Sequence, residues 1–130
     1  MQTAFEHLRP GGIAIFVPDA TRESFMEATL DGGGQDSGGH DGPDGRALRY
    51  LEWRYDPDPG DTTHLMDYVY LLREPGQRSR VIHDIHVCGL FPRRTWLRLL
   101  GDVGFEAFAT HEEHSEVPEG IQVFVALRPE

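Results

Sequence analysis

Residues Ile13 to Val17 form a short, almost unbroken apolar run directly behind Leu8-Arg9-Pro10-Gly11-Gly12. A run of this length, set off by proline and glycine, has the pattern of a strand covered on both faces, as strands of parallel sheets are. Phe5 and Leu8 suit a helix face that the Pro10-Gly11-Gly12 turn then stops, so a helix end feeds the strand. Such a strand also needs neighbours on both sides. The rest of the chain offers one, the run from Ile121 to Arg128.

What lies between divides into clear segments. Thr21 to Leu30 carries Phe25, Met26 and Leu30 and suits a short helix. Residues 31–46, dominated by glycine and aspartate, are expected to be a flexible loop, either simply solvated or a lid over a ligand. Three strand-like runs follow, Ala47 to Tyr55, His64 to Arg73 and Arg80 to Val87, joined by "DPDPGD" and "EPGQ". Proline and glycine in those links fit hairpin turns, so residues 47–87 are expected to form an antiparallel meander. Pro92 then opens and Gly104 closes a helix with Trp96, Leu97, Leu99, Leu100 and Val103 at helical spacing. Phe105 to His111 and Ile121 to Arg128 complete an antiparallel pair.

The composition narrows the partners. A chain of 130 residues with 38% hydrophobic and 10% aromatic content suits one folded domain, here 1–130. A net charge of -10 argues against nucleic acid or an anionic membrane surface, because phosphates demand a basic patch. A small-molecule or protein partner is expected. The lone Cys88 excludes an internal disulfide, no apolar run is long enough to span a membrane, and the opening residues do not form a signal peptide, so a cytoplasmic setting is expected.

The meander holds the candidate chemistry. If Arg73 and Arg78 flank the second turn, Tyr68 faces His83 and Asp67 faces Asp84. One face then gathers Leu51, Trp53, Met66, Tyr68, Tyr70, Val81, Ile85 and Val87. The other holds Tyr50, Glu52, Asp67, Asp84 and His86. These five are the candidate substrate-contact residues, with His86 a candidate base or orienting group. A solvated outer face would show the same residue types. The aromatic face reads as packing, a pocket wall or a dimer surface. His83 and His86 are three apart on a strand and point to opposite faces, so no joint metal site is expected.

The order "LRPGG", buried strand, insertion, helix ending in Val103-Gly104-Phe105, strand, loop, strand ending in "VALRP" resembles the C-terminal half of class I S-adenosylmethionine-dependent methyltransferases. In that family the seventh strand returns antiparallel between the fifth and sixth. Asp84, His86, Leu90 and Phe91 also resemble the pattern before the helix in the aminosugar N,N-dimethyltransferases. The resemblance implies an α/β fold, α+β as a fragment. It would be the C-terminal part of a Rossmann-like sheet with an inserted three-stranded antiparallel meander. It also implies S-adenosylmethionine as cofactor of the full-length enzyme and N- or O-methylation of a small molecule. The Gly-rich loop and ribose-binding acid of that family belong to the other half. This chain is therefore expected to be an inactive fragment that binds no cofactor by itself. The alternative is a noncatalytic α+β binding or dimerisation module. A bare edge along Ile13 to Val17 further leads one to expect a homodimer.

Overall fold

The element order is α1 (Gln2–His7), β1 (Ile13–Phe16), β2 (Gln35–Asp41), β3 (Ala47–Tyr55), β4 (Thr63–Arg73), β5 (Arg80–Gly89), α2 (Arg93–Val103), β6 (Glu106–His114) and β7 (Val117–Leu127). The structure, a computed structural model, describes residues 1–29, 35–114 and 117–130. It divides into two compact units, Met1–Phe25 with Leu90–Glu130, and Met26–Gly89, where a single domain was expected. The physical reason lies in the ladders. The strands of the insertion pair only with one another and so close a sheet of their own.

In the first unit the strand order is β1-β7-β6, all antiparallel. Ala14, Phe16, Phe124, Ala126, Ala107 and Ala109 turn one face of this sheet toward α1 and α2, where Phe5, Trp96, Leu97 and Leu100 meet them. Phe124 and Leu100 are fully buried there, and the Trp96 and Phe124 rings stack at 5.2 Å. The opposite face buries Val123 but is open along β1 and at Phe108. Ile13 is 58% exposed, Ile15 64% and Phe108 59%. β1 was expected to be covered on both faces and is covered on one, and its outer edge has no partner among the described residues.

Local signals at the helix ends act as their chemistry requires. Gly104 takes φ 112° after α2, and the Phe105 amide donates to the Leu100 carbonyl at 3.1 Å, closing the helix in a left-handed cap. Arg128 donates to the carbonyls of Phe5 and Leu8, both at 2.6 Å, and lies over the Phe5 ring, placing a cation at the C-terminus of α1. Glu23 accepts the Arg93 amide with both carboxylate oxygens, at 3.1 and 3.0 Å, at the N-terminus of α2. Burial opposes the charge on Glu23, but this backbone hydrogen bond and smaller favourable contacts outweigh it and hold the carboxyl below its ordinary pKa. The helix expected over Thr21 to Leu30 is instead a turn. The Thr21 amide donates to Ser24 Oγ at 2.9 Å, a local bond that competes with helix. Leu30 lies outside the described residues.

The second unit is a four-stranded meander, β2-β3-β4-β5. Its first strand, β2, occupies part of the 31–46 segment expected to be a loop; residues 31–34 lie outside the described residues. Glycines usually argue against strand, yet here they make room. A Cβ on Gly38 would come within 2.9 Å of the Tyr50 ring, and one on Gly39 would meet the Leu48 carbonyl and, at 2.6 Å, Arg49 Cδ. Side chains of β3 therefore lie across β2, and a bulkier edge strand would displace them.

Candidate functional site

The register of the meander decides which side chains meet. Tyr50 pairs with Tyr70 and Glu52 with Tyr68 across β3 and β4, while Tyr68 pairs with Asp84 and Met66 with His86 across β4 and β5. Tyr50, Glu52, Asp84 and His86 thus share one face, as expected. Asp67 does not join them. It pairs with Ile85 and lies on the opposite face, while Tyr68 and Tyr70 replace it on the polar one. The expected pairings of Tyr68 with His83 and Asp67 with Asp84 are each off by one residue.

The turn explains the slip. Gln77 donates to the Glu74 carbonyl at 3.1 Å with Pro75 second and Gly76 third at φ 73°, so the turn is centred as expected. The ladder, however, starts with Leu72 opposite Arg80. One extra residue is taken up between turn and strand on the Arg78-Ser79 side. Turns of this hand splay the flanking strands unless an added residue restores their twist. Because side chains alternate, that one residue changes which side chains of β4 and β5 share a face, and the β3–β4 ladder, with Leu51 opposite Val69, separately places the even-numbered residues of β4 beside Tyr50 and Glu52.

The polar face is built around Tyr68. Its hydroxyl donates to Glu52 Oε2 at 2.9 Å. Burial first, and the Glu52 carboxylate second, push its phenol well above the ordinary tyrosine range, so it stays a donor. The Tyr70 ring stacks on it at 5.6 Å and the His86 ring lies 4.9 Å away at 54°. His86 Nε2 is 3.2 Å from Asp84 Oδ2, so a carboxylate orients the imidazole. Cys88 Sγ lies 3.4 Å from Met66 Sδ further along the same face. The tyrosines and Glu52 are half-buried, whereas Asp84 and His86 on the edge strand β5 are exposed. The arrangement offers a stacked aromatic surface, two carboxylates and an oriented imidazole. Tyr68 and Tyr70 escaped the sequence reading as site residues because the parity of β4 was wrong. No sequence signal marks it, because the number of residues between the paired ends is fixed only by the ladder.

On the opposite face Asp67 accepts hydrogen bonds from His83 Nε2 and from the Tyr55 hydroxyl. The His83 contact, with that of Tyr55 behind it, holds the Asp67 carboxyl below its ordinary pKa. Around this group stand Leu51, Trp53, Val69, Leu71, Val81, Ile85 and Val87, all exposed.

No known family profile matches the chain, and no curated protein matches it. Solved structures do. DesVI of Streptomyces venezuelae superposes with a TM-score of 0.76 at 19% identity, over 99% of this chain and 49% of that one. The sugar N-methyltransferase KedS8 from Streptoalloteichus sp. gives 0.73 at 19%, over 99% and 47%. CalS10, an amino pentose methyltransferase from Micromonospora echinaspora with S-adenosylmethionine bound, gives 0.70 at 16%, over 98% and 48%. At these identities the likeness is one of fold. The chain spans about half the length of the solved structures it matches, and over that half it has the fold of an S-adenosylmethionine-dependent methyltransferase, as the motifs led one to expect.

Proposed function

We propose that this chain is the substrate-side half of an S-adenosylmethionine-dependent methyltransferase acting on a small-molecule nitrogen or oxygen. The observation that carries the proposal is the match of both its sheets, in chain order, to about half of such enzymes. The first unit adds physical support. Among the described residues its sheet has helices on one face only and a free edge at β1, with Ile13, Ile15 and Phe108 exposed, which leaves room for another layer and another strand. The cofactor finds no cradle in the described residues. β1 runs into Pro18 and Asp19 without a Gly-rich turn or a following helix, and the glycines of 38–39 sit inside an edge strand. We therefore assign the sulfonium cofactor to the other half.

Methyl transfer from a sulfonium is a direct displacement, so the substrate-side half has two tasks, to aim the nucleophile and to take up its proton. The stacked Tyr68 and Tyr70 rings flanked by Glu52 and Asp84 suit a protonatable amine, by cation–π and ionic attraction together. His86, oriented by Asp84, is the proposed proton acceptor. KedS8 and CalS10 act on sugars, which makes a sugar-borne amine the first substrate to test. A second reading, a noncatalytic dimerisation module, is favoured by the open apolar face around Asp67.

Calorimetric titration of the 130-residue chain with S-adenosylmethionine should give no saturable low-micromolar isotherm. A saturable one would show that the cofactor site is here after all. In the full-length context His86→Ala and Asp84→Asn should lower kcat by ten- to a thousandfold with the fold intact. Unchanged rates in both would return that face to solvent and leave the dimerisation module standing.

A further inference from the structure

We propose that His64, Met66 and Cys88 form a binding site for one soft monovalent metal ion, Cu(I). All three lie in the second unit, and the inference does not depend on the methyltransferase reading.

The ladder brings the three donors together. His64 stands opposite Cys88, and Met66 opposite His86, across β4 and β5. Because strand side chains alternate, all four project from one face of the sheet. Residues directly opposite have their Cβ atoms about 4.5–5.5 Å apart, and long side chains also reach the diagonal neighbour. Here that diagonal joins two sulfurs: the Cys88 thiol donates to Met66 Sδ at 3.4 Å. His86 takes no part, because its imidazole is turned to Asp84.

Chelation asks little more of these atoms. Two sulfurs held at about 2.3 Å from one metal, at angles near 110–120°, stand about 3.8–4.0 Å apart. The pair at 3.4 Å therefore has to open by only about half an ångström. The surroundings already exclude most water. His64 is 4% exposed with its Nδ1 wholly enclosed, and Met66 and Cys88 are half-buried. Cys88 sits on the edge strand β5, which leaves an ion a way in.

The donor chemistry identifies the ion. Thiolate and thioether are soft ligands that select Cu(I), and imidazole suits copper as well. Zinc takes four ligands from cysteine, histidine and carboxylates, and among the described residues no three such side chains are grouped to hold a metal. Binding displaces one proton. The Cys88 thiol releases it to solvent, both sulfurs and a His64 nitrogen donate lone pairs to the ion, and no oxidation state changes. The thiolate then cancels the charge of a monovalent ion. A divalent ion would leave a net positive charge next to Arg54, which stands opposite Met66 on β3.

Anaerobic titration of the reduced 130-residue chain with Cu(I), in competition with a chromophoric Cu(I) chelator, tests the site. One ion should bind per chain, and thiolate-to-copper absorption in the near ultraviolet should grow with it. Met66→Leu, which keeps the side-chain volume, and His64→Asn should each weaken binding at least tenfold, and Cys88→Ser at least a hundredfold. A second readout needs no substitution. On addition of Ag(I), a monovalent soft ion without redox chemistry here, the methyl resonance of Met66 should shift while those of Met1 and Met26 stay in place. Native affinity in both Met66→Leu and His64→Asn, or a Met66 methyl that does not move, would reduce the site to a lone thiol and overturn the proposal. One ion shared between two chains would overturn it too, as would Zn(II) bound as tightly as Cu(I).

Discussion

The two units of this chain are stabilised in different ways. In the first, Leu100, Phe105, Phe124 and Ala126 form a dry cluster between one face of a sheet and two helices. In the second, His64 is the sole buried residue among those described, although the unit has four strands to the other's three. Its order comes from continuous backbone ladders and from cross-strand pairs such as Tyr68 with Glu52 and Asp67 with His83. A sheet so built has little core of its own and keeps both faces available for contact. Polar side chains with set partners can therefore persist on it, and a candidate site and an apolar contact surface can occupy its two sides.

Truncation separates the two modes most sharply. Phe124→Ala should cost about 3–5 kcal/mol, because it opens a cavity under Trp96 in packing that cannot collapse. Leu51→Ala on the exposed sheet face should stay within about 0.5 kcal/mol when measured on the monomer. Comparable losses in a denaturant titration of each would erase the distinction drawn between the units.

A smaller effect is expected at the helix terminus of the first unit. Glu23→Gln should cost about 1 kcal/mol by weakening the acceptor for the Arg93 amide at the start of α2. Its pH dependence has a fixed sign. The folded pKa is lowered, so the contribution is complete above the ordinary glutamate pKa and fades as the pH falls through the lowered one. Acid unfolding curves of the native and Glu23→Gln proteins should therefore converge at low pH. Curves that stay parallel would show that the carboxylate does not act through its charge.

The least change is expected in the second unit itself. Tyr68→Phe removes a hydroxyl whose partner, Glu52, is half-buried and can turn to water, so stability should fall by only about 0.5–1 kcal/mol. A loss several times larger would mean that this hydrogen bond, and not the ladder, orders the meander.

The sequence by itself determined every element whose signal is local. Pro92 and Gly104 bound α2 because a missing amide and a left-handed cap act within one turn. The alternating runs behind β3, β4 and β5 mark strands, and the order of Leu8-Arg9-Pro10-Gly11-Gly12 and Val103-Gly104-Phe105 pointed to the β1-β7-β6 sheet. Tertiary structure alone decided three matters. Gly38 and Gly39 became strand because Tyr50 and Arg49, residues later in the chain, need the space above them. Asp67 left the polar face and Tyr68 took its place because the ladders set Tyr68 opposite both Glu52 and Asp84, and Asp67 opposite Trp53 and Ile85. The Asp67 carboxylate found His83, from another strand, as its partner. All three depend on what stands opposite a residue. A strand repeats every two residues, so its own pattern fixes which side chains share a face but leaves open which face that is; only the partner strand, through the ladder, supplies that information.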